Sequence, residues 1–332
     1  MPQHVISELD LEIGPLQELF EVALEYKYNF DNRNRKLLEG CNFAWLFYEE
    51  STRTRFSFEM AARHLGGGGS SSEMAGQTSS AAKGESLYRT LRNISQYRPN
   101  AIIVRHDKDG QLQDAVQRLH NHLRMPVFNA GDGGNKHPTQ MLVNLFTKWE
   151  LLRSGRLPRD KPLTIMFYGD NAGSRTINSD CLGLAKYGRG LGINVKRIFF
   201  VGKNGHGRPR EDASRALEEA GVDLAYMDLG GIGHSGIDRV TLLAMFHNTD
   251  ITSVTRYQDN RRPKDAPDET LVLEEEYVEY APAHMKVLHP QPAKSEIPES
   301  LDDHPKVVMH EQSENGLYIR SAMYHLWTPR NL

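Results

Sequence analysis

Phe43-Ala44-Trp45-Leu46-Phe47-Tyr48-Glu49-Glu50-Ser51-Thr52-Arg53-Thr54-Arg55-Phe56-Ser57-Phe58-Glu59 is the stretch on which the reading of this chain turns. Its first five residues are apolar and read as a buried strand. Beyond the polar turn, Phe56, Met60, Ala61, His64 and Leu65 recur at helical spacing, and Gly66 stands where a C-terminal cap belongs. Ser51 to Arg55 therefore occupies a strand-to-helix turn. The first N–H groups of a helix lack internal partners, and its dipole favours negative charge there. Hydroxyls, two arginines and a helix N-terminus in one turn make an oxyanion site, suited above all to phosphate. The plainer reading is a Ser/Thr cap beside solvated arginines. For Ser51 alone that plainer reading is preferred; for the whole cluster the anion site is.

Outward from this turn, the chain reads as alternating strand and helix signals. Leu16, Leu19, Phe20, Val22, Ala23 and Tyr26 mark an amphipathic helix ahead of the first strand. From Gly66 on, four glycines and three serines (Gly66–Ser72) offer nothing to a core, so a mobile loop is expected, running on to Lys83. Loops of about 15–20 residues inside a compact domain are commonly functional, and Lys83 near its end favours that reading over a surface linker. Leu87, Leu91 and Ile94 suggest a helix, Ala101–Val104 a buried strand ending at Arg105-His106, and Phe128–Gly134 a strand end with a tight loop. Pro138 suits a first helical position. Met141, Leu142, Leu145, Phe146 and Trp149 continue that helix toward a second unit. There, Leu163–Tyr168, Lys196–Val201, Val222–Met227, Asp250–Val254 and Val287-Leu288 read as strands separated by helical stretches, and Tyr318, Ala322, Met323 and Leu326 as a last helix. The pattern predicts two doubly wound, parallel-sheet α/β domains with a cleft between them.

Composition narrows the function. The 332 residues suit one large domain or two medium ones. A net charge of −3 provides no general polyanion-binding surface, which argues against nucleic acid as a partner. No apolar run approaches the roughly 18 residues of a membrane span, and Met1–Val5 lacks the basic start and apolar core of a signal peptide. Cys41 and Cys181 have no partner motif, so a reduced, cytoplasmic setting is expected. Metal-ligand spacings such as His-Glu-x-x-His are absent, and no metal is expected.

The polar residues with chemistry follow strand candidates: Ser51–Arg55, Arg105, His137, Arg175, Arg256 and His289-Pro290. Ligands bind open parallel sheets at the carboxyl ends of their strands. A series of arginines and histidines there, on a slightly acidic chain, implies a small polyanionic ligand. Singly, each has a bland alternative: His137 as a helix cap, Arg105 and Arg175 in surface ion pairs, His289-Pro290-Gln291-Pro292 as a turn. Their joint order shifts the balance.

Ser-Thr-Arg-Thr-Arg followed by Ser-Phe-Glu resembles the carbamoyl-phosphate motif of the aspartate/ornithine carbamoyltransferase family. The resemblance extends over nearly the whole chain: the lysine-bearing loop, Arg105-His106, Asn129-Ala130-Gly131-Asp132-Gly133 with His137-Pro138-Thr139-Gln140, Arg175, Arg256-Tyr257-Gln258, and His289-Pro290-x-Pro292 stand in the family's order. The His-Pro-Thr-Gln segment is particularly like the aspartate branch. The ornithine branch typically carries His-Cys-Leu-Pro late in the chain, where this sequence has His289-Pro290-Gln291-Pro292.

The resemblance implies roles. Ser51, Thr52, Arg53 and Thr54 would hold the phosphate of carbamoyl phosphate, with Arg105. His137, Gln140, Thr54 and the backbone around Pro290-Gln291 would contact the carbamoyl group. Ser79 and Lys83 would enter from the neighbouring subunit of a homotrimer with shared active sites. Arg175 and Arg105 would take the α-carboxylate of L-aspartate, Arg256 and Lys83 its side-chain carboxylate, and Gln258 would face the amine. Arg53, Thr54, Lys83, Arg105 and His137 are the catalytic set so implied. The matching division is a carbamoyl-phosphate domain over 1–150, an amino-acid domain over 151–292, and a C-terminal helical part, 293–332, packing back on the first. The chemistry requires no cofactor. Regulatory chains or a dihydroorotase as further partners, the proton acceptor, and the strictness for aspartate stay open at this point.

Three departures from the family pattern stand out. Ala293, followed by Lys294, stands where the family usually has an arginine after His-Pro-x-Pro, Gln291 replaces a common leucine, and Asp228–Asn248 is longer and glycine-rich. They leave a different amine or a catalytically weak paralogue as alternatives. Gly231-Ile232-Gly233-His234-Ser235-Gly236, with Asp259 a little over 20 residues on, also fits a dinucleotide motif. A nicotinamide-dependent oxidoreductase is the remote rival, weakened by the motif's late position in the second unit.

Overall fold

A computed structural model of the protein describes residues 3–29, 36–73, 84–229, 236–257 and 270–330. Ser79, Lys83, Gln258, Asp259 and Gly231–Ser235 of the glycine motif lie outside the described residues. The chain divides into two compact units, Met1–Val143 with Glu314–Leu332, and Asn144–Ser313.

The first unit is built on β1 (Asn42–Phe47), β2 (Gly68–Glu73), β3 (Ala101–His106) and β4 (Val127–Asp132), all parallel, in the order β2-β1-β3-β4. Its helices are α1 (Ile13–Tyr28), α2 (Thr52–His64), α3 (Leu87–Gln96), α4 (Gln111–Leu119) and the start of α5 (Pro138–Arg153). Parallel strands covered by helices must be apolar on both faces. On one face Leu46, Ile102, Val104 and Val127 pack with Leu87, Leu91, Leu112, Val116 and Leu119. On the other, the C-terminal helix α10 (Met309–Trp327) delivers Tyr324 into an aromatic cluster. The Trp45 Nε1–H donates to the Tyr324 hydroxyl at 3.0 Å, and the rings of Phe43, Phe58 and Phe128 lie 4.5, 6.1 and 6.2 Å from that of Tyr324. Burial holds the Tyr324 phenol far above its ordinary pKa. Each such buried side chain contributes about 1.5–3 kcal/mol.

Two expectations are corrected here. Gly68–Glu73 is a strand, register-paired along β1 from Asn42↔Gly68 to Phe47↔Glu73, where a mobile loop was expected. Glycine is used for approach: a Cβ on Gly69 would lie 2.1 Å from the Phe43 carbonyl oxygen. Phe56 and Met60 do not face the sheet; they are 51% and 41% exposed, and Thr54, Phe58, Ala61, Ala62 and Leu65 form the buried side of α2 and its end. The cap at Gly66 has the left-handed φ of +88° that the sequence implied.

The second unit carries β5 (Leu163–Gly169), β6 (Val195–Gly202), β7 (Asp223–Asp228), β8 (Ile251–Thr255) and β9 (Lys286–Leu288), parallel throughout, in the order β7-β6-β5-β8-β9. Its helices include α6 (Arg175–Tyr187), α7 (Glu211–Glu219), α8 (Gly236–His247) and α9 (Glu275–Tyr280). Met166, Tyr168, Val254 and Val287 pack with Phe246, Tyr277 and Leu301. A fully buried ion pair, Lys148 Nζ to Asp180 Oδ2 at 2.7 Å, joins α5 to α6. Both units are thus parallel α/β sheets, as the alternating strand and helix signals require. Among the described residues no helix is long and apolar enough to cross a membrane.

Candidate active site

In the first unit the adjacent strands β1, β3 and β4 present their carboxyl ends side by side. Ser51 follows β1 and is the N-cap residue of α2, yet its side chain makes no capping hydrogen bond. The plainer cap reading of Ser51 therefore fails, and its hydroxyl is not committed to the helix. Thr52 and Arg53 are exposed in the first turn, while Thr54 is buried. Helix-end N–H groups with hydroxyls and a guanidinium around them suit a phosphate dianion.

Arg105, in β3, is 7% exposed. Its Nη1 donates to the Ala130 carbonyl at 3.1 Å and its Nη2 stands 3.1 Å from Glu49 Oε2. The ion pair is real, with the guanidinium buried and the Glu49 carboxylate half-buried. Room for the guanidinium depends on Gly131, at φ +131°: a Cβ there would lie 2.8 Å from Nη1. Asn129, fully buried, shapes this turn by accepting the Gly131 N–H at 2.8 Å through Oδ1.

His137 is buried just ahead of α5, and Pro138 takes the first helical position. The Gln140 N–H donates to His137 Nδ1 at 3.3 Å, so His137 does cap its helix, as its bland reading held. The cap has a chemical consequence. An Nδ1 that accepts leaves the ring proton on Nε2, which makes Nε2 a hydrogen-bond donor of the kind a carbonyl oxygen needs. The His137 backbone N–H donates to Glu8 Oε1 at 3.1 Å. Glu8 is buried and was missed from the sequence, where a lone glutamate near the N-terminus carries no signal.

The second unit repeats the arrangement with β5, β8 and β9, again neighbours in the sheet. Ser174 caps α6, accepting the Ile177 N–H at 3.4 Å, and Arg175 opens the helix at 8% exposure. The Ser174 and Thr255 hydroxyls are 3.1 Å apart, which brings Arg175 and Arg256 to one end of the sheet. Pro290 and Gln291 follow β9. Gln291 has φ +62°, a conformation that side chains other than Gly and Asn adopt rarely. His289 supports it: the Gln291 N–H donates to His289 Nδ1 at 2.9 Å, and His289 Nε2 lies 2.9 Å from Glu296 Oε1, both residues 1% exposed. Burial acts to raise the Glu296 carboxyl, but its hydrogen bonds to His289 and to backbone N–H groups outweigh this and leave it below the usual range. The Gln291 Oε1 accepts the Ala293 N–H at 2.8 Å, so the two residues that depart from the family pattern bond to each other.

The structure thus gathers Ser51–Thr54, Arg105, His137 and Gln140 in one unit, and Arg175, Arg256, Pro290 and Gln291 in the other. Among the described residues, no cluster of three or more His, Cys, Asp or Glu side chains is arranged to hold a metal ion.

Comparison with known proteins agrees over both units. Residues 3–150 match the family model for the aspartate/ornithine carbamoyltransferase carbamoyl-P binding domain, and residues 161–326 the Asp/Orn binding domain. The chain is 35% identical to the aspartate carbamoyltransferase catalytic subunit of Lachnoclostridium phytofermentans, covering 98% of this chain and 97% of that one. It is 33% identical to the chloroplastic aspartate carbamoyltransferase of Oryza sativa subsp. japonica, over 97% and 84%. Aspartate transcarbamoylase from Trypanosoma cruzi, in complex with carbamoyl phosphate and aspartate, has the same fold, with a TM-score of 0.78 at 25% identity over 98% and 95% of the two chains. The chain belongs to the aspartate/ornithine carbamoyltransferase family.

Proposed function

We infer that the protein is an enzyme that transfers the carbamoyl group of carbamoyl phosphate to the α-amine of L-aspartate, giving N-carbamoyl-L-aspartate and phosphate, a step of pyrimidine biosynthesis. What supports this is that each unit carries its own strand-end cluster: Ser51–Thr54 at the start of α2, with Arg105 and His137, has the residue types that suit a phosphate, and Arg175 with Arg256 has those that suit two carboxylates.

The amine lone pair attacks the carbamoyl carbon, and the C–O bond to phosphate breaks. The nitrogen loses a proton in the course of this. Negative charge grows on the carbonyl oxygen and on the leaving phosphate, so fixed donors aimed at both supply the stabilisation. His137 Nε2–H, Thr54 and Arg105 are assigned to the oxygen. Ser51, Thr52, Arg53, the helix N-terminus and Arg105 are assigned to the phosphate. Gln140 and the backbone at Pro290-Gln291 are assigned to the carbamoyl group. Arg175 with Arg105 takes the α-carboxylate, and Arg256 the side-chain carboxylate, with Gln258 at the amine. Holding two anionic reactants in line contributes several of the roughly 7–11 kcal/mol available from positioning.

Ser79 and Lys83 complete the site from a neighbouring subunit in a homotrimer. A relative named as a catalytic subunit fits a chain that works within an assembly. The two free, buried cysteines, Cys41 and Cys181, suit a cytoplasmic setting. Product formation from carbamoyl phosphate with aspartate, ornithine and putrescine offered in parallel tests the assignment. Turnover with aspartate alone is expected; turnover only with another amine overturns the acceptor, and none at all overturns the reaction.

A further inference from the structure

The turn between β6 and α7, Lys203-Asn204-Gly205-His206-Gly207, has had no role so far, yet the fold fixes it closely. Asn204 and Gly205 stand at φ +49° and +86°, and a Cβ on Gly202 would lie 2.3 Å from the Gly207 nitrogen, so the turn closes on itself. Fully buried Asn171 fastens it to the sheet: its backbone N–H donates to the His206 carbonyl at 2.9 Å, and its Nδ2 donates to the carbonyls of Gly207, Val201 and Phe167 at 3.1, 3.2 and 3.3 Å. The Ala172 N–H adds a second bond to His206 O at 3.3 Å.

So held, the His206 ring touches both arginine-bearing turns. It meets Tyr257, the neighbour of Arg256, edge-on at 5.6 Å between centroids. Its Nδ1 lies 3.7 Å from Asp170 Oδ1, too far for a hydrogen bond but within electrostatic reach. That same Oδ1 accepts the Gly173 N–H at 2.9 Å and closes the turn that ends at Arg175. The β5–β8 ladder, in register to Gly169↔Thr255, and the Ser174–Thr255 hydroxyl contact join the two turns where they leave the sheet. Those contacts fix the turns at their bases; His206 adds a contact past Arg256, at Tyr257.

We propose that His206 is a positioning residue that fixes the spacing of Arg175 and Arg256, and thereby the preference for an acceptor bearing two carboxylates. This rests on the carbamoyl-transfer reading. A dicarboxylate gains from two cations only if their separation matches its own, whereas a monocarboxylate is indifferent to it.

The test is His206→Ala, with His206→Phe keeping the ring against Tyr257. The KM for aspartate and the Kd of succinate, a dicarboxylate without an amine, are expected to rise about tenfold in His206→Ala, while kcat and the KM for carbamoyl phosphate stay within about twofold. His206→Phe recovers most of the loss. Values for aspartate and succinate within about twofold of wild type, or an equal rise in the KM for carbamoyl phosphate, overturn the proposal. Calorimetric succinate binding reads the inference without turnover. A wild-type protein that binds succinate but does not carbamoylate aspartate overturns the reaction assignment alone; one that does not bind succinate overturns the inference.

Discussion

Breaking the Lys148–Asp180 pair from either side is expected to destabilise the fold by similar amounts but with opposite pH dependence. The pair spans α5 and α6 at 2.7 Å with side chains 0% and 1% exposed. Burial pushes the Asp180 carboxyl up, and Lys148 counters this. Lys148→Met leaves a carboxylate in a dry site, where it takes up a proton instead of staying charged. Neutralising a group of ordinary pKa near 3.9 costs about 4 kcal/mol at pH 7 and about 1.5 at pH 5, at roughly 1.4 kcal/mol per unit. The folded state then binds more protons than the unfolded state, so this variant loses stability as pH rises. Asp180→Leu leaves an ammonium that sheds its proton, which costs about 4.6 kcal/mol at pH 7 and about 2 at pH 9. Here the unfolded state binds more protons, and stability rises with pH. Both figures fall within the about 3–5 kcal/mol expected for an orphaned buried charge, and the double variant Lys148→Met/Asp180→Leu should return to within about 1 kcal/mol of wild type or exceed it. Urea unfolding between pH 5 and 9 measures all three, provided the m-value is unchanged. Single-variant losses below about 1 kcal/mol, or flat and parallel pH profiles, would refute the reasoning.

Gly131→Ala adds a Cβ 2.8 Å from Arg105 Nη1 at a φ of +131°, so it should lower kcat at least about tenfold, with a stability loss of about 1–3 kcal/mol; steady-state kinetics with wild-type values would remove Arg105's placement from the mechanism. Glu296→Gln removes a carboxyl whose folded pKa lies below its ordinary value. Its stabilisation is present above the unfolded pKa near 4.3 and lost as pH falls through the folded value, so the variant's unfolding free energy should change less between pH 7 and acid than the wild type's. Lys83→Ala and Arg53→Ala are each expected to be inactive but folded and assembled. Mixing the two should restore part of the activity in hybrid trimers, and no recovery after verified subunit exchange would confine the site to single chains.

Strand-to-helix turns were legible because they combine period-two and period-3.6 patterns with a cap, as at Phe43–Gly66. The order of polar strand ends likewise read directly onto Arg105, His137, Arg175 and Arg256. What the sequence hid has physical causes. β2 is glycine and serine, held through the main-chain ladder of β1, so no side-chain pattern announces it. In α2 the series Phe56, Met60, His64 competes with Phe58, Ala61, Ala62, Leu65 at the same spacing, and only the sheet decides which is buried. Glu8, Asn171 and His206 act through contacts 30 or more residues away, for which local sequence holds no sign.

The composition of β2 also bears on the order of events in folding. A strand of two glycines, three serines and a glutamate brings almost no apolar area to its partner, and it lies at the edge of its sheet. Nothing drives it to β1 before β1 and β3 have met, so it docks late; for the same reason its amides detach without unfolding the sheet. Hydrogen exchange along Gly68–Glu73 would then follow a small local opening, while the amides of β1 and β3 wait for the whole unit to unfold.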